Sequence, residues 1–529
     1  MLGGEVLKKI FLFFTLIGVT LGLVFGIRSA IKNRKNNEVI VELDSGDNYI
    51  HELNIPIMEI DSLNPLLTTN KHVSNILQLI YEPLVLISYD ETLTPILGIE
   101  WAKKDDLNWI VKLRKGVKWH NGTEFTSKDV IFTVNSLLSE NVNSLYKSNL
   151  LNVLNVEALD EYSVIFTLQE KDDFFIYKLV FPIVPEYYFK NGDILNENKN
   201  NIPVGTGAYK YVTTNDIEDY IQIEKNSNWW NHELETKLNT IYLMRYPTYG
   251  EAIKSYKSAK VDMIITSMTD WVKKFGTIGN NVYSFESSTF DTIVPNTKRA
   301  SLAESSVRKA LLFAINRENI VSKVFDGNAT VTDMPIHNRS KYYFSGLQSE
   351  YDLDKAKQVL INAGWKNDGT SWQKNGQRLR FTLLVNEENS EQVRSAEIIK
   401  ENLSEINIDI TIKKISFINL QKALNTDDFD LVLASFDIKN ELTILELIQS
   451  DSVLNYANFT NQKVDEAVQE VHNNYNEATM QALERGYKDE VPYIGLYFRN
   501  STLLTNKSVK GSIEPRWNYP FANMTTWCK

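Results

Sequence analysis

The chain has 529 residues, of which 43% are hydrophobic and 23% are charged. This length predicts more than one domain. The proportions of hydrophobic and charged residues are those of an ordinary globular protein and exclude a disordered, a collagen-like and a coiled-coil protein. Lys and Arg total 56 against 67 Asp and Glu, and the resulting net charge of −11 argues against nucleic-acid binding, because phosphates are neutralised by a basic surface.

The N-terminal region contains an uncharged apolar run, residues 10–27. As a helix this run spans roughly 27 Å, which is enough to cross the hydrocarbon core of a bilayer. We therefore predict a membrane anchor or a signal segment over residues 1–38. A cleaved signal peptide usually has a shorter apolar segment, which favours an uncleaved anchor, although Val24 and Gly26 are small enough for a cleavage site. Basic residues follow the run within residues 28–35, and the positive-inside rule by itself favours a cytoplasmic location for the chain that comes after them.

The first half of the remaining chain predicts a mixture of strands and helices. Apolar and polar residues alternate over residues 109–113 and 162–168, which is typical of strands with one buried face. Between them, residues 126–138 predict a helix that begins at a Thr126 cap and has Asp129 at its third position.

The second half predicts a βαβαβ unit. Apolar residues with a helical period predict one amphipathic helix over residues 306–321 and another over residues 356–363, which ends before Gly364. The predicted strands that follow cover residues 379–385, 406–412 and 429–435, with helices over residues 396–403 and 418–424 between them. This alternation predicts helices packed against a sheet through right-handed crossovers.

Signatures of catalysis, nucleotide binding and metal binding are absent from the sequence. It has no GxxxxGKS/T and no GxSxG, and Gly205-Thr206-Gly207 lacks the third glycine of a dinucleotide-binding loop. The six histidines form no HExxH motif, and the single cysteine, Cys528, excludes a disulfide framework and a Cys-based zinc site. We therefore predict no enzyme, no catalytic residue, no metal ion and no cofactor.

An ordered series of short motifs resembles one known family. In chain order the motifs are Leu63-Asn64-Pro65, residues 80–85 (IYEPLV), residues 113–123 (LRKGVKWHNGT), residues 204–209 (VGTGAY), Trp229-Trp230, residues 260–263 (KVDM) and residues 307–317 (VRKALLFAINR). Each motif alone is weak, and residues 113–123 are the most specific. Together, over about residues 55–500, they resemble the extracytoplasmic solute-binding proteins of peptide and nickel ABC importers, known as family 5.

The resemblance implies an α/β fold of two lobes with an extra subdomain, the large peptide-binding subclass of the type II periplasmic-binding-protein-like fold. It implies a first lobe over residues 39–70, 203–292 and 500–529, an extra subdomain over residues 71–202 and a second lobe over residues 293–499. It also outweighs the charge rule and implies a monomeric domain outside a bacterial cell, held at the cell membrane by residues 10–27. The implied partners are an oligopeptide or related small solute and the membrane subunits of an ABC permease.

The resemblance further implies which residues contact a ligand in the cleft between the lobes. They belong to the loop after the Leu-x-Pro motif, the stretch after the Val-Asp-Met strand, the hinge strand and the segment after the last strand of the βαβαβ unit. In this chain they are Thr69, Asn70 and Lys71, then Thr266, Ser267, Met268 and Trp271, then Phe290 and Asp291, and finally Phe436, Asp437, Lys439 and Glu441.

The last of these segments departs from the pattern of peptide-binding members. They usually carry Gly-Trp-x-x-Asp, whose Asp pairs with the α-ammonium group of the peptide, whereas this chain reads Ser435-Phe436-Asp437-Ile438-Lys439. Lys439 stands at the Asp position and would repel an ammonium group in a desolvated cleft. Asp437 and Glu441 are the candidates that would replace the acid.

Three alternatives to peptide import stay open. The altered ammonium site is compatible with a degenerate member that acts as a sensor or regulator. It is also compatible with a non-peptide solute such as a metal chelate, for which His72 beside the predicted ligand loop is the residue of interest. A cell-surface hydrolase would need a nucleophile–base pair, and the sequence offers no candidate for one.

Overall fold

The structure is a computed structural model, and it describes residues 51–529 except residues 89, 91, 190–193 and 196. The apolar run of residues 10–27 lies outside the described residues, so the membrane anchor stays a prediction. Within the described part of the chain, no helix is long and apolar enough to span a bilayer.

Strands and helices follow one another along the whole described chain. The strands are β1 Glu52–Met58, β2 Val85–Ile87, β3 Leu93–Pro95, β4 Gly98–Lys103, β5 Asn108–Leu113, β6 Val153–Asp160, β7 Ser163–Leu168, β8 Tyr209–Asn215, β9 Tyr220–Lys225, β10 Thr240–Tyr246, β11 Met263–Thr266, β12 Asn280–Pro295, β13 Ala329–Val331, β14 Lys366–Asn367, β15 Trp372–Lys374, β16 Gln377–Arg378, β17 Arg380–Asn386, β18 Asp409–Ile415, β19 Leu431–Asp437 and β20 Ile494–Asn506. The helices are α1 Lys71–Leu77, α2 Ser127–Leu138, α3 Glu197–Asn200, α4 Tyr249–Lys257, α5 Trp271–Phe275, α6 Ala300–Ala303, α7 Ser305–Ala314, α8 Arg317–Phe325, α9 Leu353–Asn362, α10 Ser390–Ser404, α11 Phe417–Thr426, α12 Thr443–Ile448, α13 Gln462–Asn473 and α14 Glu477–Glu490.

One apolar core joins the first half of the described chain to its C-terminal end. Its sheet has the order β1-β10-β9-β8, in which β1 runs parallel to β10. Alternate residues of these strands, such as Leu53 and Ile241, are fully buried in this core, as expected for strands with one buried face. The antiparallel sheet β4-β5-β7-β6 contributes Val111 and Phe166 to the same core. We call this part the first lobe; it includes the residues predicted for the extra subdomain, 71–202, because they share this core.

The local predictions for the first lobe are confirmed. The helix predicted after Thr126 is α2, and the Asp129 carboxylate accepts the Thr126 N–H at 2.9 Å. The predicted strands over residues 109–113 and 162–168 correspond to β5 and β7, which pair antiparallel.

Two further apolar cores are built from residues between Phe290 and Phe498, and they form the second lobe. The predicted βαβαβ unit is confirmed, because β17 runs parallel to both β18 and β19 and α10 and α11 connect the three strands. β18 begins at Asp409, later than predicted, because Asn407 in front of it adopts the left-handed conformation with φ of 60°. Helix α9 ends before Gly364, whose φ of 86° suits the position after a helix.

The single helix predicted over residues 306–321 is wrong. The chain forms α7 and α8 instead, with Ile315 extended between them at φ −93° and ψ 116°. Asn316 caps α8, because its side chain accepts the Asn319 N–H at 2.9 Å. The apolar period continues through the break since both helices bury their apolar faces in the same core.

Two long strands connect the lobes. β12 and β20 pair antiparallel along most of their length, and their register shifts between Glu286 and Phe290. At the same level the two strands pass from one apolar core to another. Phe285 and Leu503 are buried in the core of the first lobe, whereas Phe290 and Phe498 are buried in a core of the second lobe. We call β12 and β20 the hinge strands.

Close packing explains the Gly205-Thr206-Gly207 segment. The Gly207 N–H donates to the Ile80 carbonyl at 2.9 Å, and a Cβ on Gly205 would lie 1.8 Å from the same oxygen. Thr206 donates its hydroxyl to the buried Glu82 carboxylate at 2.8 Å. The motif therefore allows the start of β8 to lie directly against the backbone around Ile80.

Gly205→Ala is expected to lower the free energy of unfolding of the first lobe by about 3 kcal/mol, because the backbone must move to admit the methyl group. Urea unfolding followed by tryptophan fluorescence measures the change. The matched control is Gly250→Ala in α4, where the nearest atom to a new Cβ is 3.9 Å away and the effect is expected to be small. Equal effects of the two substitutions would contradict the packing argument.

Candidate functional site

A cavity of about 580 Å³ lies beside the hinge strands and is lined by both lobes. This volume is within the usual range of ligand pockets, roughly 300–1,000 Å³. The first lobe contributes the start of α1, the loop over residues 267–270 and Trp517 from the C-terminal segment. The second lobe contributes Phe325 and Glu391, and the hinge strands contribute residues 287–289 and 499–501. We call this cavity the cleft.

A buried ion pair lies at the base of the cleft and joins the two hinge strands. Arg499 on β20 donates to the Asp291 carboxylate on β12 through Nε at 2.6 Å and Nη2 at 3.1 Å. Asp291 is 0% exposed, and its remaining lone pairs accept the Ser435 hydroxyl at 2.7 Å and the Gln392 amide at 3.3 Å. Burial by itself lowers the pKa of the Arg499 guanidinium, but the hydrogen bond and charge of Asp291 offset this effect and raise it. The Arg499 guanidinium therefore stays charged.

Lys71 forms part of the first-lobe wall. Its ammonium group lies 4.9 Å from the centre of the Trp517 ring, a cation–π distance. Partial desolvation lowers the pKa of Lys71, while the charge of Asp437 raises it and the charge of Lys439 lowers it further. Both second-lobe residues are therefore close enough to act on Lys71 across the cleft.

Asp437 and Lys439 are exposed residues that do not themselves line the cleft, and we call their position the rim. Asp437 is the last residue of β19 and pairs in register with Thr289, which lines the cleft. Lys439 reaches toward the first lobe, where its ammonium group donates to the Ser148 hydroxyl at 3.4 Å. One acidic side chain, that of Asp437, thus lies close to two basic side chains, those of Lys439 and Lys71.

A second contact between the lobes is aromatic. Phe174 lies with its ring centre 5.3 Å from those of Tyr475 and His472. The His472 ring is also 3.9 Å from the Asp173 carboxylate. These contacts hold Asp173 and Phe174 against His472 of helix α13 and against Tyr475, which lies two residues after the end of that helix.

Some of the residues predicted to contact a ligand line the cleft, and others do not. Lys71, Ser267 and Met268 line it. Thr69 and Asn70 donate their N–H groups to the Asp61 carboxylate, at 2.7 and 3.3 Å.

The remaining predicted residues are held by packing and hydrogen bonds. Thr266, Trp271 and Phe290 are buried, and Thr266 accepts the Met268 N–H at 3.1 Å. Phe436 stacks on Tyr456 at 5.9 Å. Glu441 is 0% exposed and accepts the Tyr475 hydroxyl, so in this conformation its carboxylate is out of reach of a cleft ligand.

Sequence reasoning missed Arg499, Glu391 and Trp517. Arg499 and Asp291 are 208 positions apart in the chain, and only the pairing of the hinge strands brings them together. Glu391 is in the first turn of α10, where acidic residues are common for helix stability alone. A local signal existed only for Trp517, as one of ten tryptophans in an aromatic-rich chain.

The described residues offer little support for a metal site. Among them, no group of three or more His, Cys, Asp or Glu side chains is placed to hold a metal ion. The Nε2 atom of His72 lies 3.0 Å from the Pro56 carbonyl, and burial lowers the pKa of this histidine. His72 therefore binds the backbone of β1.

Comparisons with known proteins agree with this architecture. Residues 88–441 match the family described as bacterial extracellular solute-binding proteins, family 5 Middle. The oligopeptide-binding protein AppA of Bacillus subtilis is 27% identical over 474 residues, which cover 85% of this chain and 86% of AppA. The nickel-binding periplasmic protein of Escherichia coli is 26% identical over 371 residues, which cover 67% of this chain and 69% of that protein.

A solved structure supports the same assignment. The structure of Bacillus subtilis AppA in complex with a nonapeptide aligns with a TM-score of 0.59 and 25% identity, covering 90% of this chain and 98% of that one. The family match alone extends over more than half of the sequence. This chain is therefore a member of the bacterial extracellular solute-binding proteins of family 5.

Proposed function

We propose that this family member captures oligopeptides in the cleft and delivers them to the membrane subunits of an ABC importer. The observation that carries the proposal is a cleft lined by two lobes that has charges of both signs around it. Besides the paired Arg499, the cleft is lined by basic Lys71 and by acidic Asp270 and Glu391. Lys439 and Asp437 add a basic and an acidic group at the rim. A peptide has an ammonium group at one end and a carboxylate at the other, so a cleft of this kind can hold both ends.

The backbone at the hinge supports an extended ligand. Residues 287–289 line the cleft at the point where β12 and β20 lose their regular pairing. An extended peptide that lies along this stretch would form main-chain hydrogen bonds that do not depend on its side chains. This arrangement favours a ligand class over a single compound, in agreement with the nonapeptide complex of the related AppA.

The proposal includes the placement of the protein in the cell. We propose a monomer held at a bacterial cell membrane by residues 10–27, with both lobes outside. The two lobes and the extra subdomain would have the bounds given above, namely 39–70 with 203–292 and 500–529, then 71–202, and then 293–499. We assign the protein no catalytic step.

A second candidate is a ligand without an ammonium group, such as an anionic metal chelate. The proximity of Lys439 to Lys71 favours it, since two cations at one rim attract an anion. The nickel-binding relative makes a metal chelate a concrete example.

Thermal unfolding of the full chain with different solutes separates the two candidates. A ligand at 100 times its dissociation constant stabilises the folded protein by about 2.7 kcal/mol, which raises the unfolding temperature. We expect a mixture of short peptides to raise it and the nickel–EDTA chelate, which is anionic, to leave it unchanged. The reverse result would contradict the peptide proposal.

A further inference from the structure

The first lobe touches the second lobe at points outside the hinge strands. The Lys341 N–H donates to the Asp90 carbonyl at 3.3 Å, and the Lys439 ammonium group donates to the Ser148 hydroxyl at 3.4 Å. A third contact is aromatic and is made by Phe174. Asp90, Ser148 and Phe174 belong to the predicted extra subdomain, residues 71–202, and none of these five residues lines the cleft.

Phe174 projects from its own lobe into the other one. The two residues after it, Phe175 and Ile176, are buried in the core of the first lobe and anchor the segment there. The Phe174 ring instead packs against a core of the second lobe. Separation of the lobes would return the apolar surface of this ring to water, so the contact favours the arrangement in which the lobes touch.

The second lobe receives Phe174 between two rings. The Phe174 ring centre is 5.3 Å from those of His472 and Tyr475, and the Tyr177 ring of the first lobe is 6.1 Å from that of Tyr475. Phe174 and Tyr177 both meet Tyr475 edge to face, at interplanar angles of 76° and 80°, which is a favourable arrangement of aromatic rings. We call these four residues the aromatic cluster.

Tyr475 is held in place from the second-lobe side. Its ring centre lies 4.8 Å from that of Tyr342, and its hydroxyl donates to the fully buried Glu441 carboxylate. Glu441 belongs to the segment after β19 that begins with Asp437 and Lys439 at the rim. The ring that receives Phe174 is therefore connected to the rim of the cleft.

We propose that the aromatic cluster is a latch that holds the two lobes together without a ligand, and that Phe174 sets how often the cleft opens. The hinge strands permit the motion, because their pairing is irregular between Glu286 and Phe290. Phe174 does not line the cleft, so its removal leaves the cleft side chains in place and changes the balance between open and closed lobes.

Double electron–electron resonance on the full chain measures this balance without any ligand. The single natural cysteine, Cys528, is buried, so spin labels are directed to exposed positions by Lys128→Cys in the first lobe and Glu466→Cys in the second. With the latch intact we expect mainly the shorter distance of closed lobes. Phe174→Ala is expected to raise the ratio of open to closed molecules about tenfold, since it removes two ring contacts.

Three further variants make this expectation specific. His472→Ala removes a ring from the second-lobe side and is expected to raise the same ratio severalfold, so it decides the question if Phe174→Ala does not fold. Phe174→Tyr keeps the ring and is expected to retain the closed distance. Phe132→Ala is the matched control, because Phe132 is also half-buried and stacks on Phe189 of its own lobe at 5.8 Å. The proposal is overturned if the chain with an intact latch is mainly open, or if neither latch variant lengthens the distance relative to Phe132→Ala.

One consequence rests on the proposed function. A peptide enters and leaves only while the cleft is open, so Phe174→Ala is expected to raise the association and dissociation rates of a captured tetrapeptide about tenfold each and to leave its dissociation constant nearly unchanged. Surface plasmon resonance measures both rates. Faster release with an unchanged association rate would overturn a latch that is closed without a ligand. A chain that captures no peptide would contradict the proposed function alone, because the distance measurement needs no peptide.

Discussion

Replacement of Arg499 by methionine is expected to lower the free energy of unfolding by about 3–5 kcal/mol, the usual cost of leaving a buried charge without its partner. Asp291 is fully buried, and Arg499 is the cation that it contacts, at 2.6 Å. Ser435 and Gln392 still donate to the carboxylate in the variant, but neutral donors do not balance its charge. Chemical unfolding followed by circular dichroism measures the loss.

Two further variants make this expectation specific. Arg380→Met breaks an exposed pair with Asp409, at 3.0 Å, and is expected to cost less than about 1 kcal/mol. The double variant Arg499→Met with Asp291→Asn removes the stranded charge, so it is expected to recover at least half of the lost stability. A loss of the same size in both single arginine variants, or no recovery in the double variant, would show that the buried pair is not the cause.

Asp437→Asn is expected to weaken the binding of peptides with a free N-terminus by about 30- to 100-fold, which corresponds to about 2–3 kcal/mol for a charge-assisted hydrogen bond. Asp437 lies at the rim of the cleft on the strand next to β12, and Lys439 holds the position where the family resemblance implies an acid. Isothermal titration calorimetry with one tetrapeptide in its free and N-acetylated forms measures the effect. The acetylated form has no ammonium group, so its affinity is expected to change little.

Lys439→Asp is the complementary variant. It places an acid at the position where the family resemblance implies one and removes a cation that acts on Lys71, so it is expected to strengthen the binding of the free peptide. Asp409→Asn, on the exposed surface, is the control for a loss of charge alone. If Asp437→Asn weakens the free and acetylated peptides equally, the ammonium group binds elsewhere, and Glu391 in the cleft wall becomes the acid to test.

Local signals predicted much of the fold. Alternation located β5 and β7, the Thr126 cap located α2, and helical periods located α9 and the helices of the βαβαβ unit. The exception is the break at Ile315, which periodicity does not detect because α7 and α8 face the same core. The start of β18 was predicted too early, at residue 406 instead of Asp409. Ile406 and Ile408 are buried like strand residues although they precede the strand.

The cleft was less accessible to sequence reasoning. The resemblance placed Lys71, Ser267 and Met268 among the ligand residues, and all three line the cavity. Glu441 was the second candidate, after Asp437, to replace the acid, but its burial against Tyr475 depends on tertiary packing. The pairing of Asp291 with Arg499 depends on contact between two strands from distant parts of the chain, which no local pattern records.

Native mass spectrometry of the full chain, purified from bacterial cells and then mixed with a library of short peptides, tests most directly whether the cleft captures peptides. The account predicts a retained or acquired mass that matches one peptide per chain, and a weaker signal from the Asp437→Asn variant. A ligand-free mass with every peptide in the library would contradict peptide capture.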